Sequence, residues 1–149
     1  VFFIPLVVNA YLLCLLLLGD RAGSPAVRLP VTIAAVVLMD LVLDPGAVSL
    51  GFWSYAGGGP YYDVPISNYL GWMLSATVAV VTLDRAFDRA ALLERLAACE
   101  FALDDLVSFV LLWAGVNLWF GNLLPAALAA LFGAGLVRAD QFDAGALRP

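Results

Sequence analysis

Two aspartates four residues apart, Asp40 and Asp44, lie near the end of a long apolar stretch. Residues at this spacing share one face of a helix, and Thr32 and Val36 extend that face toward the start of the stretch. A carboxylate at membrane depth costs about 2.5–3.5 kcal/mol on insertion scales, so we expect Asp40 to face protein and not lipid. Burial of two adjacent carboxylates favours one protonated acid beside one anion, which is the pair that acid–base chemistry needs. We therefore predict Asp40 and Asp44 as catalytic residues.

Each aspartate also has a purely structural interpretation. Asp44 precedes Pro45 and can cap a turn that follows the helix. Asp40 can pair with an Arg or an Asn in a part of the protein that we expect to be missing from this sequence. An Asp-xxx-Asp pair can also hold Mg²⁺ for a prenyl diphosphate, but such sites normally add a second acidic motif and basic residues. This last hypothesis is weak because no Arg lies between Arg28 and Arg85.

Aromatic and amide side chains follow the aspartate pair closely. The faces of Trp and Tyr rings stabilise cations, and an amide can orient a water or a carboxylate. We predict a substrate-binding set consisting of Trp53, Tyr55, Tyr61, Tyr62, Asn68 and Trp72. The alternative for each ring is a place in the aromatic belt at the membrane interface. Gly57-Gly58-Gly59-Pro60 within this region predicts a turn.

The composition is that of a membrane protein, with 64% hydrophobic and only 13% charged residues. A helix that crosses the hydrocarbon core needs about 20 residues, and several apolar runs approach that length. We predict an all-α, multipass transmembrane helix bundle of about five helices, forming one integral membrane domain over residues 1–149. Because Val1 falls inside an apolar run, we expect a fragment of a longer chain that lacks N-terminal helices. The predicted segments are Val1–Leu18, Leu29–Leu43, Ile66–Leu83, Asp105–Phe120 and Leu123–Val137.

The positive charges indicate how these segments cross the cell membrane. All seven basic residues are Arg, and alternating crossings place all seven, including Arg148, on one side. The positive-inside rule makes that side cytoplasmic and the Asp44–Pro65 connection non-cytoplasmic. The inner loop Asp84–Asp104 alternates acids and Arg as an interfacial amphipathic helix does. Gly121-Asn122, followed by Pro125, predicts a tight helical hairpin, with one broken helix as the alternative.

Several classes of function are disfavoured. The chain has no His, which removes the usual haem, di-iron and zinc ligand sets. Cys14 and Cys99 are isolated and define neither a disulfide framework nor a metal site. We therefore predict no metal ligands. A net charge of −5 argues against nucleic acid as a partner.

The region from Asp40 to Trp72 resembles the carotenoid-biosynthesis hydratase family of multipass membrane proteins, in particular its haloarchaeal bisanhydrobacterioruberin hydratase type. The similar motifs are Asp-Leu-x-Leu-Asp-Pro-x-Ala-Val at 40–48, Gly-Phe-Trp-Ser-Tyr at 51–55, Tyr-Tyr-Asp-Val-Pro at 61–65 and Asn-Tyr-Leu-Gly-Trp at 68–72. Many relatives have Gly after the Tyr pair, where this chain has Asp63, so no family role is carried onto that residue.

The resemblance implies cofactor-free addition of water to the terminal C=C bonds of an acyclic C50 or related isoprenoid carotenoid, giving tertiary alcohols. The implied partners are the carotenoid, membrane lipid and other membrane enzymes of the same pathway. Two alternatives from other classes remain. A non-catalytic carotenoid-binding membrane protein would share the aromatic residues, and a small-solute transporter would use Asp40 as an intramembrane charge.

Overall fold

The computed structural model describes residues 3–99 and 101–139 and confirms the predicted all-α class. Within the described ranges, extended pairing is limited to an isolated bridge between Tyr61 and Val64. The helices in chain order are α1 Phe3–Leu18, α2 Pro25–Ser49, α3 Ile66–Ala86, α4 Arg89–Ala97, α5 Asp104–Trp119 and α6 Leu123–Arg138, with a 3-10 turn Gly19–Gly23 between α1 and α2.

Three helical stretches are long and apolar enough to cross a membrane: Phe3–Gly23, Pro25–Ser49 and Ile66–Ala86. Helices α5 and α6 have 16 residues each, so they are shorter than the roughly 20 residues of a full crossing. Each of the five predicted apolar segments corresponds to one helix. The predicted inner loop contains α4, whose N-terminus is capped by the Asp88 carboxylate, 2.8 Å from the Ala90 amide nitrogen.

Helix α2 is longer than the predicted segment Leu29–Leu43. It begins at Pro25, since proline suits the first turn of a helix, and it continues through Pro45 to Ser49. The interpretation of Asp44 as the cap of a following turn is therefore wrong. The predicted Asp44–Pro65 connection is also shorter than expected, because the residues between α2 and α3 are 50–65.

Helix α2 lies at the centre of the bundle and packs against α1, α3, α5 and α6. Its side chains Val36, Met39 and Val42 are fully buried. Thr32 is also fully buried, so the polar face predicted from residue spacing points into the protein. Any polar side chain on this part of α2 is enclosed by neighbouring helices.

Helices α5 and α6 form the predicted hairpin. Helix α5 ends at Trp119 and α6 begins at Leu123, so the alternative of one broken helix is wrong. The Asn122 amide fixes the corner by donating to the Ser49 hydroxyl at 3.0 Å and to the Asn117 side-chain oxygen at 3.1 Å. Asn117 itself donates to the carbonyl of Val42 at 2.9 Å. It is therefore an interhelical hydrogen-bonding residue.

A buried ion pair joins α2 to α3 at the end of the bundle that carries the Arg residues. The Arg28 guanidinium contacts both carboxylate oxygens of Asp84, with Nε–Oδ1 2.5 Å and Nη2–Oδ2 2.8 Å. The Tyr11 hydroxyl donates to the same carboxylate at 2.7 Å, which adds α1 to the cluster. Arg28 also donates to the carbonyl of Ala22 in the 3-10 turn. Arg148 lies outside the described residues.

Candidate functional site

The two predicted catalytic aspartates lie one helical turn apart on α2 and are buried. The exposed fraction is 0% for Asp40 and 2% for Asp44. The Asn68 amide, in the first turn of α3, donates to Oδ2 of Asp40 at 3.1 Å and to Oδ2 of Asp44 at 2.5 Å. The expectation that Asp40 faces protein, near Asp44 or Asn68, is confirmed. One amide therefore bridges both carboxylates.

The two carboxylates have unequal surroundings. Asp44 accepts a second hydrogen bond from the Tyr55 hydroxyl at 2.8 Å. Burial raises the pKa of Tyr55 well above its ordinary value, so this phenol remains a donor at neutral pH. Asp40 Oδ1 is buried and accepts no hydrogen bond from the residues that the structure describes. Because hydrogen-bond donors favour the charged form of a carboxylate, Asp44 is the better anion and Asp40 the better neutral acid.

The Tyr61 hydroxyl links the connection at 50–65 to α2, and this contact depends on Pro45. A proline has no N–H, so the carbonyl four residues earlier, that of Leu41, lacks its helical donor. The Tyr61 hydroxyl donates to this carbonyl at 3.2 Å. Burial raises the pKa of Tyr61 to about 12, and the phenol is therefore protonated at neutral pH.

A tight turn over residues 61–64 orients the tyrosines. Tyr62 and Asp63 have φ of 50° and 63°, and the Val64 amide donates to the Tyr61 carbonyl at 2.9 Å. Two central residues in the left-handed region are typical of a type I′ turn, where Gly, Asn and Asp are favoured. Asp63 is exposed. The difference from relatives at this position thus concerns the backbone of a turn, and it does not bring Asp63 to the carboxylate pair.

The predicted turn over residues 57–60 is also confirmed. Gly57 and Gly58 have φ of 82° and 63°. At Gly59 the need for glycine is steric, because a Cβ there would lie 2.1 Å from the carbonyl carbon of Val64. This close approach folds the connection back on itself next to the outer end of α2.

The other predicted substrate-binding residues are spread around this centre. The Tyr62 hydroxyl accepts the Leu124 amide at 3.4 Å, so it reaches the start of α6. Trp53 is half-buried against the core. Trp72 lies one turn beyond Asn68 and packs on Phe3, with ring centroids 5.1 Å apart. The structure therefore brings Asp40, Asp44, Asn68 and Tyr55 together, and their roles stay predictions.

Tyr69 belongs to the same centre, although the sequence analysis did not select it. Its ring packs edge-on against Tyr61, with centroids 5.8 Å apart and an interplanar angle of 82°. Its hydroxyl is buried and has no hydrogen-bond partner within the described ranges. The position of Tyr69 directly after Asn68 in the sequence was the signal that could have identified it.

Comparison with known proteins assigns the chain to a family. The family described as "Carotenoid biosynthesis protein" matches residues 1–136. The chain belongs to this family. It is 62% identical over 143 residues, covering 96% of the chain and 48% of the relative, to a protein of Haloarcula japonica named bisanhydrobacterioruberin hydratase. The chain spans about half the length of that curated relative. No solved structure matches the chain.

This centre consists of two buried carboxylates, an amide and a phenol held among apolar helices. Within residues 3–99 and 101–139, no group of three Cys, Asp or Glu side chains is placed to hold a metal ion. The two carboxylates instead share an amide, and one of them also accepts a phenol. Such a pair can give a proton to a bound molecule and take one from it.

Proposed function

We propose that this chain carries the catalytic pair of a carotenoid hydratase. The reaction is addition of water to the terminal C=C bonds of an acyclic C50 or related carotenoid, giving tertiary alcohols of the bacterioruberin type. Family membership and the name of the relative from Haloarcula japonica support it. The observation that carries the proposal is the pair of buried carboxylates bridged by Asn68, of which only Asp44 also accepts a hydrogen bond from Tyr55.

The proposed reaction begins with protonation of the alkene. The carboxyl group of Asp40 gives its proton to the less substituted carbon of the terminal double bond, and the π electrons form the new C–H bond. Positive charge develops on the tertiary carbon. The water oxygen then bonds to that carbon while the carboxylate of Asp44 accepts a proton from the water. The sum is one alkene plus one water giving one tertiary alcohol, and proton exchange with solvent restores the pair.

Aromatic rings next to the pair are suited to the cationic intermediate. The rings of Tyr61 and Tyr69 are in edge-to-face contact, and the Tyr61 hydroxyl reaches α2 at Leu41, the residue after Asp40. The π faces of such rings attract cations. The anion of Asp44 adds electrostatic stabilisation, which is stronger in a region from which water is excluded. The proposed chemistry needs no redox group, because the addition of water leaves the overall oxidation state of the substrate unchanged.

We also propose the membrane orientation that accompanies this function. Arg28 and Arg89 both contact the 3-10 turn Gly19–Gly23, and Arg28 is 12 residues before Asp40 on α2. That separation corresponds to about 18 Å of helix rise. With the Arg end cytoplasmic, the carboxylate pair lies toward the non-cytoplasmic leaflet of the cell membrane, under the connection at 50–65.

The decisive experiment is Asp40→Asn in the full-length protein, expressed in a host that makes the anhydro carotenoid. Asn preserves the shape of the side chain but has no proton to give, so we expect loss of hydrated product with normal membrane insertion. Asp44→Asn should slow the reaction by about 10²–10⁴-fold. Asp63→Asn is the matched control, because Asp63 is an exposed turn residue near the site. Near-normal hydration by Asp40→Asn would contradict the proposal.

A further inference from the structure

A groove follows the seam between α1 and α3. Its outer part has a volume of about 280 Å³ and is lined by Ser67, Asn68, Gly71, Trp72, Ser75 and Phe3. Its inner part has a volume of about 350 Å³ and lies between the first turns of α1 and the last turns of α3. Phe3 borders both parts, and we call the two parts together the α1–α3 groove.

The α1–α3 groove is apolar and long. Its inner part is lined by side chains such as Val7, Ala79 and Leu83. From Asn68 to Ala86 the α3 axis rises about 27 Å, close to the ~30 Å thickness of a hydrocarbon core. Ala76 and Val80 of α3 are buried, and Trp72, Ala79 and Leu83 pack against the core. The exposed apolar side chains of this helix include Leu70, Leu74 and Val78.

The outer end of the groove meets the carboxylate pair. Asn68 lines the groove, and its amide donates to Asp40 and Asp44. Asp40 is fully buried, and its Oδ1 accepts no hydrogen bond from any described residue. A molecule lying in the groove with one end at Asn68 would therefore end one side chain away from the carboxylate pair.

We propose that the α1–α3 groove binds the linear polyene chain of the substrate, with the reacting end at Asn68 and the remainder lying along α3 toward Phe87. This inference rests on the proposed function, because Asn68 is common to the groove and the catalytic pair. A conjugated polyene is stiff and straight, so it loses little conformational freedom on entering a groove of this shape. Its apolar length matches the apolar lining.

The size of the groove favours a thin polyene over a second helix. Its outer and inner parts have volumes of about 280 Å³ and 350 Å³. An α-helix about 10 Å in diameter that ran along α3 would occupy a much larger volume. The rings of Phe3 and Trp72, with centroids 5.1 Å apart, are in contact across the seam.

The test fills the groove without disturbing the fold. A Cβ at Gly71 would meet no atom within 4 Å, so Gly71→Leu projects into open space. Gly115→Leu is the matched control, because Gly115 has equally free surroundings and lies in a separate apolar depression formed with Leu50, Leu112 and Trp119. Ser75→Leu provides a second groove variant should Gly71→Leu insert poorly. The full-length variants in lipid nanodiscs are titrated with the anhydro carotenoid, and binding is followed by its induced visible circular dichroism.

We expect Gly71→Leu and Ser75→Leu to weaken polyene binding by about tenfold or more, and Gly115→Leu to bind like the unmodified protein. Asp40→Asn should bind normally and fail to hydrate, which supports the groove and the catalytic pair together. If Asp40→Asn hydrates normally while Gly71→Leu still binds weakly, the groove stands and the catalytic proposal fails. Unchanged binding by both groove variants overturns the groove. So does an altered oligomeric state of Gly71→Leu with normal binding, which would assign the seam to a second copy of the protein.

Discussion

Asn68 Nδ2 lies 2.5 Å from Oδ2 of Asp44, so a side chain in the first turn of α3 holds a carboxylate on α2. The contact is between residues 24 positions apart in the sequence. It fixes the orientation of the carboxylate relative to the groove along α3. The effects of substitutions at the site depend on this connection between the two helices.

Asn68→Leu should reduce hydration by about 10- to 100-fold, because both carboxylates lose the amide that positions them. A lost partner of a buried polar group also costs about 1–3 kcal/mol. Thr77→Val on the same helix is the control, since the Thr77 hydroxyl is exposed and bonds only to the carbonyl of Met73. The measurement is the ratio of hydrated to anhydro carotenoid per amount of inserted protein. Equal activities of the two variants would show that Asn68 has no positioning role.

Tyr55→Phe should slow hydration moderately. It removes the hydroxyl that donates to Asp44, and hydrogen bonds to charged groups contribute about 1.5–3 kcal/mol. Tyr62→Phe should have a smaller effect, because the Tyr62 hydroxyl contacts the backbone of Leu124 and not a carboxylate. Initial rates of alcohol formation with matched protein amounts compare the two. A larger loss for Tyr62→Phe would show that the Tyr62 hydroxyl, and not that of Tyr55, supports hydration.

Asp84→Asn should destabilise the protein by about 1.5–3 kcal/mol, because the partly buried Arg28–Asp84 pair loses its charge-assisted hydrogen bonds. Arg28 would keep its charge at 6% exposure without a carboxylate. Asp20→Asn, at an exposed residue of the 3-10 turn, should have little effect. Thermal unfolding in detergent tests both variants. Below its unfolding transition, Asp84→Asn should still hydrate carotenoid, because the ion pair lies at the opposite end of α2 from the proposed site.

Gly59→Ala should disrupt the connection at 50–65. Its Cβ would lie 2.1 Å from backbone atoms of Val64, and the backbone on both sides must move to accept it. Gly23→Ala is the control, since its Cβ meets nothing within 4 Å. Limited proteolysis of proteoliposomes should cleave the connection faster in Gly59→Ala, and hydration should fall in parallel. Unchanged cleavage and activity would mean that this close approach is unimportant.

The proposed orientation is tested by labelling single cysteines in intact cells. The exposed native Cys99 is first replaced by Ser. In that background Ser54→Cys should react with a membrane-impermeant maleimide from outside, because it lies in the connection between α2 and α3. Ala90→Cys, on α4 near the Arg residues, should react only after the cells are opened. The reverse pattern would place the carboxylate pair toward the cytoplasm.

The sequence predicted the helices well because each is a long apolar run, and it predicted the carboxylate pair because residues four apart share a helix face. It could not fix the length of α2. Pro45 suggests a helix end locally, yet packing against four other helices keeps the helix intact to Ser49. It also missed Tyr69, whose place beside Tyr61 depends on how the connection folds over α2. Contacts between distant segments, such as that between Arg28 and Asp84, have no periodic signal in the sequence.

The missing N–H of Pro45 makes two distant positions interdependent during evolution. A residue with an N–H at position 45 would return the Leu41 carbonyl to the hydrogen-bond ladder of α2, and the Tyr61 hydroxyl would lose its acceptor. A phenylalanine at position 61 would leave that carbonyl buried without a donor unless the proline were also replaced. Lineages that replace Pro45 should therefore also replace Tyr61, and the reverse. Such correlated substitutions would be evidence of the contact between α2 and the connection at 50–65.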